Sequence, residues 1–234
     1  ERTDTPLALY CHIPFCRKRC YYCGCNTVVT NDPCRGENYV EVLGKEISAV
    51  AELLGKRRTI SLIHFGGGTP TYLNTDEVKR LPRSVRAQCK LLANVEVSME
   101  VDPRVTTFEQ IDFLAEQGFN RISMGVQDFT LEVQQASGRI QPFELVAKLI
   151  EHCRLRKFSG INIDLIYGLP KQTVATFTET LDKALALKPD RVAVYSFAYL
   201  PRSMPHQSKI KHEDLPVTEV KYQLYATAIG KFTG

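Results

Sequence analysis

The stretch LALYCHIPFCRKRCYYCGCN, residues 7–26, contains the two features around which the rest of the chain can be organised. Its first part, Leu7–Ile13, is short and mostly apolar, as expected for a β-strand that is covered on both faces. This strand runs directly into a loop in which Cys16, Cys20 and Cys23 have the spacing C-x-x-x-C-x-x-C. A loop rich in metal-ligating side chains therefore follows the first strand of the fold.

Five further apolar runs rich in β-branched residues predict strands at residues 60–65, 95–101, 120–126, 161–166 and 191–197. Segments with helical periodicity lie between them, and three of these predict one buried face each: Leu43, Ile47, Val50 and Leu54; Val146, Leu149, Ile150 and Cys153; Phe177, Leu181, Ala184 and Leu185. Alternating strands and helices predict parallel βαβ units, completed by a last helix at residues 218–231. An open doubly wound sheet and a partial barrel both fit this pattern, and periodicity does not separate them.

Helix ends are also marked in the sequence. Thr107 with Gln110, and Asn74 with Glu77, predict capping boxes at two helix starts, and Gly118 predicts a helix end. Pro82 falls inside the helix that follows Asn74, and we expect it to kink or shorten that helix.

Composition limits the class of protein. The chain has 234 residues, 44% of them hydrophobic, which suffices for one domain with a sizeable core. A net charge of +4 is mild and excludes a nucleic-acid footprint. No apolar run approaches the roughly 18 residues of a membrane span, and no secretory leader opens the chain, so no membrane partner is expected. Since the first residue is Glu1 rather than Met, we expect that an N-terminal segment has been removed.

Cysteine usage points to a metal site in a reducing compartment. Five of the eight cysteines lie between positions 11 and 25, and the others are scattered. A secreted disulfide framework spreads its cysteines over a short chain, whereas this pattern is typical of a cytoplasmic metal protein. We therefore expect a cytoplasmic location.

Polar residues mark the ends of all six predicted strands. Chemistry gathers at the carboxyl ends of parallel strands in both candidate architectures. The residues at these ends are His12, the Gly66–Gly67–Gly68–Thr69–Pro70 run, Glu100 and Asp102, Gln127 and Asp128, Asp164, and Ser196 with Tyr199. Six polar strand ends directed at one rim predict a site there.

The cysteine spacing predicts an iron–sulfur cluster with one open iron. Three thiolates of a short loop can bind three corners of a 4Fe-4S cubane, which leaves the fourth iron free to bind a ligand. Cys25 is a possible fourth ligand, but only Gly24 separates it from Cys23. Structural zinc is the rival interpretation, although such sites usually have two C-x-x-C knuckles and no second one is present.

The cysteine loop, with Tyr22 before its last cysteine, resembles the signature of the radical S-adenosylmethionine (SAM) superfamily. The runs YCHIPFC, YCGCN, GGGTPT, SMEVDPR, FNRISMGVQD and NIDLIYGLPKQ resemble the oxygen-independent coproporphyrinogen III oxidase family within it, nearly end to end. The resemblance implies an α/β fold, a partial (β/α)6 TIM-like barrel of the radical SAM type. It also implies a 4Fe-4S cluster held by Cys16, Cys20 and Cys23, with SAM on the open iron.

Site residues follow from the same resemblance. The implied SAM-binding residues are Tyr10, Tyr22 near the adenine, Gly67, Gly68 and Thr69 around the methionine moiety, Glu100, Gln127, Arg139, Asp164 and the backbone of Ala198. Family members bind a second SAM, and the sequence does not divide these contacts between two molecules. Two catalytic roles are implied: His12 as a hydrogen-bond donor near the cluster, and Cys25 in redox or proton chemistry.

The implied reaction is oxidative decarboxylation of coproporphyrinogen III. A deoxyadenosyl radical abstracts hydrogen from the β-carbon of a propionate, and loss of CO₂ and one electron leaves a vinyl group. Two such events give protoporphyrinogen IX in haem biosynthesis. The implied partners are the tetrapyrrole substrate and an electron donor protein, and a monomer is expected.

Two alternatives stay open. One is the haem-binding chaperone type of radical SAM protein, although that type lacks the Gly24-Cys25-Asn26 run found here. The other is a non-catalytic iron–sulfur or zinc binding module. Because the family's chains are longer, we expect residues 1–234 to be the radical SAM core domain alone, without the family's N-terminal segment and C-terminal helical domain. We therefore expect cluster and SAM binding with poor turnover.

Overall fold

The computed structural model describes residues 5–233. Six strands form one sheet, and two short strands flank the cysteine loop. In chain order the strands are β1 (Leu7–Ile13), β2 (Phe15–Cys16), β3 (Val28–Val29), β4 (Thr59–Gly67), β5 (Lys90–Val101), β6 (Arg121–Gln127), β7 (Gly160–Tyr167) and β8 (Arg191–Ser196). The helices are α1 (Cys34–Leu54), α2 (Thr75–Gln88), α3 (Phe108–Glu116), α4 (Leu131–Ala136), α5 (Phe143–Leu155), α6 (Val174–Ala186) and α7 (Thr218–Thr233). All six predicted strands and the final helix are confirmed, and β5 begins five residues earlier than predicted.

The order of the strands decides between the two candidate architectures. The sheet runs β1-β4-β5-β6-β7-β8, and every neighbouring pair is parallel. A doubly wound sheet reverses its strand order at a switch point, whereas here each strand adds to the same edge. Right-handed crossovers in one direction place the helices on one face, and the sheet curls around the other. The fold is therefore the partial barrel.

The strands are covered by helices on one face only. Ile63 and Phe65 of β4, and Ile163 of β7, are fully buried against the helical layer. The residues that alternate with them, such as His64 and Asp164, lie on the concave face because side chains alternate along a strand. The expectation that the strands are covered on both faces is thus wrong, and the concave face is free to carry polar groups.

The predicted helix faces are confirmed for α5 and partly wrong for α1 and α6. In α5 all four predicted positions are buried. In α1 the buried face continues from Ile47 to Ala51, so that Val50 is 40% exposed. In α6, Leu185 is likewise 40% exposed beside the buried Ala184. In α1 the prediction chose Val50 where the smaller Ala51 faces the sheet, and in α6 it extended the buried face one residue beyond Ala184.

The predicted helix ends are confirmed. Both capping boxes form, and Gly118 follows α3 with a φ of 83°. Pro82 does not shorten α2, which continues for six more residues, since its ring is buried against the core. Within residues 5–233, none of the helices has the length and apolar character needed to cross a membrane. All eight cysteines are free thiols.

Candidate active site

A cavity of about 570 Å³ opens at the carboxyl ends of the strands, beside the cysteine loop. It brings together thirteen of the fifteen residues predicted for the site: Cys16, Cys20, Tyr22, Cys23, Cys25, Gly67, Gly68, Thr69, Glu100, Gln127, Arg139, Asp164 and Ala198. Tyr10 and His12 lie outside its lining. The polar strand ends therefore converge on one place, as their position on parallel strands predicts.

Backbone hydrogen bonds fix the cysteine loop at its base and on both flanks. The short ladder of β2 and β3 closes it, and Val28 N–H donates to the Pro14 carbonyl at 2.8 Å. Tyr21 N–H donates to the carbonyl of Ser137 at 3.0 Å, which ties the loop to the end of α4. On the other flank His206 Nε2 donates to the Cys23 carbonyl at 2.7 Å. Three separate parts of the chain thus hold the loop in place.

The three predicted ligands line the same cavity, and their thiols have different neighbours. The Cys16 thiol lies 3.4 Å from the Thr69 hydroxyl, and the Cys20 thiol lies among arginines described below. A hydrogen bond from Cys25 lowers the pKa of Cys23 to about 6. Within the described residues, no three His, Cys, Asp or Glu side chains converge on a point that could hold one metal ion. In a cubane each cysteine binds a different iron, so an arrangement of separated thiols fits a cluster.

The glycine run packs too tightly against the cysteine loop to carry side chains. A Cβ on Gly68 would lie 2.7 Å from the Phe15 carbonyl oxygen. A Cβ on Gly67 would lie 2.6 Å from the His12 ring, and its φ of 123° already disfavours other residues. The glycines were expected to let the backbone come close to a ligand, and they also let the glycine run pack closely against the start of the cysteine loop. It leaves bare backbone at the cavity wall, which suits a small zwitterionic ligand.

One wall of the cavity, the carboxylate side, is formed by Glu100 and Asp164, and His64 lies beside it, hydrogen-bonded to Glu100. Glu100 Oε2 accepts a hydrogen bond from Gly67 N–H at 2.9 Å, and Oε1 accepts one from His64 Nε2 at 3.1 Å. Asp164 accepts hydrogen bonds only from neutral groups, Ser123 Oγ at 3.1 Å and an Asn162 amide at 2.8 Å. Burial, with a smaller contribution from the nearby Glu100, raises the pKa of Asp164 to about 6. This wall retains capacity to accept hydrogen bonds.

A second wall, the arginine side, is formed by Asp102, Arg104 and Arg139. Arg104 Nη2 donates to Asp102 Oδ2 at 2.6 Å, and Arg139 Nη1 donates to the same oxygen at 3.0 Å. Burial opposes ionisation of Asp102, but the two guanidinium groups outweigh it and lower its pKa. Both arginines also reach the Cys20 sulfur, Arg104 at 3.4 Å and Arg139 at 3.7 Å.

Asp102 was named only among the polar strand ends, with no role assigned, and Arg104 was not predicted, although both lie in the SMEVDPR run. The polar end of β5 was the available signal for Asp102. His64 was missed as well, because a histidine in the middle of an apolar strand gives no sign of the face on which it lies.

The two predicted residues outside the cavity lining form a chain of hydrogen bonds beside it. The Tyr10 hydroxyl donates to His12 Nδ1 at 2.9 Å, and His12 Nε2 donates to the Asn26 carbonyl at 2.8 Å. Both ring nitrogens of His12 are thus engaged, and the role of His12 as a donor near a cluster stays a prediction. Tyr10 is 54% exposed at the rim, and its ring stacks on that of His64 with the ring centroids 5.8 Å apart.

A buried polar network supports the turn after β6. Gln127 ends this strand with a φ of 70°, a conformation uncommon outside glycine. The next residue, Asp128, accepts hydrogen bonds from Gln172 Nε2 at 2.7 Å and Thr180 Oγ1 at 3.1 Å. Gln134 Nε2 donates to the Asp128 carbonyl at 2.8 Å. Because every member is hydrogen-bonded, the network fixes the backbone that carries Gln127.

Comparison with known proteins relates the site to one family. The sequence profile of the radical SAM superfamily matches residues 10–184. The chain is 43% identical over 229 residues to the oxygen-independent coproporphyrinogen III oxidase of Synechocystis sp., covering 98% of this chain and 49% of the relative. It is 45% identical over 230 residues to the protein of that name from Escherichia coli strain K12, covering 98% and 50%.

A solved structure agrees with these relatives. The structure of coproporphyrinogen III oxidase from Escherichia coli, described as a radical SAM enzyme, superposes with a TM-score of 0.92 at 44% identity, covering 99% of this chain and 53% of that chain. The radical SAM methyltransferase of Kitasatospora setae superposes with a TM-score of 0.58 at 16% identity, covering 81% and 36%, which is a likeness of fold alone. The chain spans about half the length of the relatives it matches.

Proposed function

The chain belongs to the radical SAM superfamily, and we propose that it is the cluster- and SAM-binding part of an oxygen-independent coproporphyrinogen III oxidase. The observation that carries this proposal is the convergence of Cys16, Cys20 and Cys23 with the glycine run and the polar strand ends on one cavity. The substrate class rests on the identity of 43% and 45% to relatives of that name.

The proposed reaction is the oxidative decarboxylation of coproporphyrinogen III propionates to vinyl groups, which gives protoporphyrinogen IX in haem biosynthesis. When bound, a reduced 4Fe-4S cluster and SAM supply the radical that takes a hydrogen atom from the substrate. The protein binds and orients these groups and keeps water away from the reacting atoms.

Three cysteines hold the cluster in this proposal, each through a different iron. The position of Cys16, Cys20 and Cys23 in the lining of one cavity supports this assignment. Cys25 lines the cavity beside Cys23, where redox or proton chemistry is accessible to it. His12 would act through the Tyr10 and Asn26 groups that it contacts.

The two walls of the cavity suit the opposite charges of SAM, in one copy or two. Arg139 Nε is buried and has no hydrogen-bond partner within residues 5–233, so a carboxylate of the ligand would satisfy it. Glu100 and Asp164 would accept hydrogen bonds from amino or hydroxyl groups. The remaining contacts are assigned to Tyr10, Tyr22, Gly67, Gly68, Thr69, Gln127 and the backbone of Ala198.

The partners of the proposed enzyme are the tetrapyrrole substrate and an electron donor protein. Eight free thiols support a cytoplasmic location, since such thiols persist in a reducing compartment. We further propose a monomer with no nucleic-acid or membrane partner, in agreement with the mild net charge of +4.

The test is anaerobic reconstitution of the chain with iron and sulfide. We expect about four irons per chain, an EPR signal of the reduced cluster that shifts on addition of SAM, and vinyl product when coproporphyrinogen III and a reductant are present. Cys16→Ser should abolish the signal, whereas Cys34→Ser, at an exposed thiol outside the cavity, should leave it unchanged. A colourless zinc-loaded protein, or tight haem binding without turnover, would overturn the proposal.

A further inference from the structure

The thiol of Cys20 has an environment that the other two predicted ligands lack. Arg104 Nη2 lies 3.4 Å from its sulfur and Arg139 Nη1 lies 3.7 Å away, distances at which an N–H donates a hydrogen bond to sulfur. Within the described residues, Cys16 has only the neutral Thr69 hydroxyl as a side-chain partner. The Cys23 thiol is hydrogen-bonded to another thiol, that of Cys25, and Arg19 is a charge in its vicinity. Among the three predicted ligands, and within the described residues, only Cys20 has guanidinium groups within hydrogen-bond distance of its sulfur.

The arginine side keeps this charge in place. Asp102 binds both guanidinium groups, so that the three side chains together carry one net positive charge. Arg139 is anchored further by bonds to the Gly125 carbonyl at 2.6 Å and to Gln141 Oε1 at 3.2 Å. Both arginines are largely buried, with 20% and 9% of their side chains exposed, so water screens their charge weakly. The charge is fixed, close to sulfur and poorly screened.

A fixed positive charge and N–H···S hydrogen bonds favour the more negative, reduced state of an iron–sulfur cluster. We propose that the Asp102–Arg104–Arg139 unit raises the reduction potential of the cluster through Cys20, with Arg104 as the residue dedicated to this task. This inference rests on the proposed function, since it requires that Cys20 binds the cluster. Arg104 is a positioning residue because it acts through the cysteine sulfur.

A purely structural role for Arg104 predicts a different result. In that case its bonds to Asp102 serve only to close the loop after β5, and its removal changes stability without changing the potential. Replacement by methionine separates the two roles cleanly, because Asp102 then keeps Arg139 as a one-to-one partner at 3.0 Å. No buried charge is left alone, so we expect the variant to fold and to take up a cluster.

The experiment is an anaerobic redox titration of the reconstituted chain, followed by the EPR signal of the reduced cluster. For Arg104→Met we expect the ratio of reduced to oxidised cluster at a fixed potential to fall about tenfold, which is 59 mV for a one-electron couple. For Arg104→Lys, which keeps the positive charge but lacks the planar guanidinium group, we expect the same ratio to fall about threefold. Arg17→Gln removes one exposed positive charge from the same loop and should change the ratio less than twofold.

Each outcome decides one proposal. If the wild-type chain takes up a cluster and Arg104→Met has the wild-type potential, the inference is wrong and the proposed function stands. An equal change in Arg17→Gln would also overturn the inference, because any loop charge would then act alike. A wild-type chain that takes up no cluster overturns the proposed function and the inference together. Should Arg104→Met lose its cluster, the Arg104→Lys titration decides, and an unchanged potential there counts against the inference.

Discussion

The two walls of the cavity treat buried charge in opposite ways. On the arginine side, two guanidinium groups share the Asp102 carboxylate, and every charge has an oppositely charged neighbour. On the carboxylate side, Asp164 is held only by neutral donors, and burial raises its pKa to about 6. On the first wall the charges are paired within the protein, and within the described residues Arg139 Nε is the atom left for a ligand. The carboxylate oxygens of the second wall can accept further hydrogen bonds. Such a surface can bind a ligand, but it lowers the stability of the ligand-free protein.

Removal of the shared carboxylate should have the largest effect. Asp102→Asn leaves two largely buried guanidinium groups without their partner, and we expect a loss of about 3–5 kcal/mol in the free energy of unfolding. Urea denaturation of the chain measures this loss. The matched control is Asp32→Asn, which breaks the exposed pair with Arg35 at 3.9 Å and should cost less than about 1 kcal/mol. Similar losses in both variants would mean that the arginine side is not a paired, desolvated unit.

The carboxylate side should respond in the opposite direction. Asp164→Asn is expected to stabilise the ligand-free chain by about 2 kcal/mol above pH 6, because the hydrogen bonds from Ser123 and Asn162 do not offset the desolvation of the buried carboxylate. The folded pKa of Asp164, about 6, lies above the ordinary 3.8. The protonated form of Asp164 therefore makes its full favourable contribution to the free energy of unfolding below about pH 4, and this contribution is lost as the pH rises to 6.

The difference in the free energy of unfolding between Asp164→Asn and wild type should accordingly widen between pH 4 and 6 and then stay constant. Denaturation at a series of pH values tests this. A gap that is independent of pH would show that Asp164 titrates normally and that the two walls do not differ in this way.

The seam between the glycine run and the cysteine loop should be sensitive to a single methyl group. Gly68→Ala places a Cβ within 2.8 Å of the Pro14 carbonyl group and 2.7 Å of the Phe15 carbonyl oxygen, and backbone cannot move aside as a side chain can. We expect a loss of about 1–2 kcal/mol in stability together with lower iron retention. Gly230→Ala in α7, where a Cβ meets nothing within 4 Å, should instead be neutral or stabilising by up to about 1 kcal/mol. Equal behaviour of the two variants would argue against tight contact at the seam.

The smallest effect is expected at His64. Its ring donates a hydrogen bond to Glu100 at 3.1 Å, and within the described residues this is the one ion-pair contact of the carboxylate side. His64→Gln should weaken SAM binding to the reconstituted chain about fivefold, or about 1 kcal/mol, because Glu100 loses one of its two fixing bonds. Calorimetry provides the measurement. His152→Gln, which removes a surface pair with Asp112 at 2.6 Å, should leave SAM affinity unchanged.

The sequence predicted the features that are local. The strand positions, both capping boxes and the cysteine spacing depend on residues within one segment, and the structure confirms the elements. Even the convergence on one rim followed from the rule that parallel strands end at a common edge. Resemblance to a family then supplied the individual ligand assignments, which remain predictions.

The pairing of charges across the cavity was beyond a single sequence. Asp102 and Arg139 are 37 positions apart and meet only because the loop after α4 folds back toward the end of β5. The concave face was missed for a related reason. Alternating polar residues such as Ser98 and Ser123 were absorbed into runs that looked uniformly apolar, and the curvature that gathers them on the concave face is a property of the whole sheet.

The unbroken strand order has a consequence for how the chain acquires its structure. Successive strands of the sheet from β4 onward begin about thirty to forty residues apart, and each pairs with the one before it. Closing a loop over such a short length of chain costs little entropy. Each edge strand, once formed, is a template for the strand of the next helix–strand unit. Folding can therefore advance in the direction of synthesis, one unit at a time, without long-range searches that slow other parallel sheets.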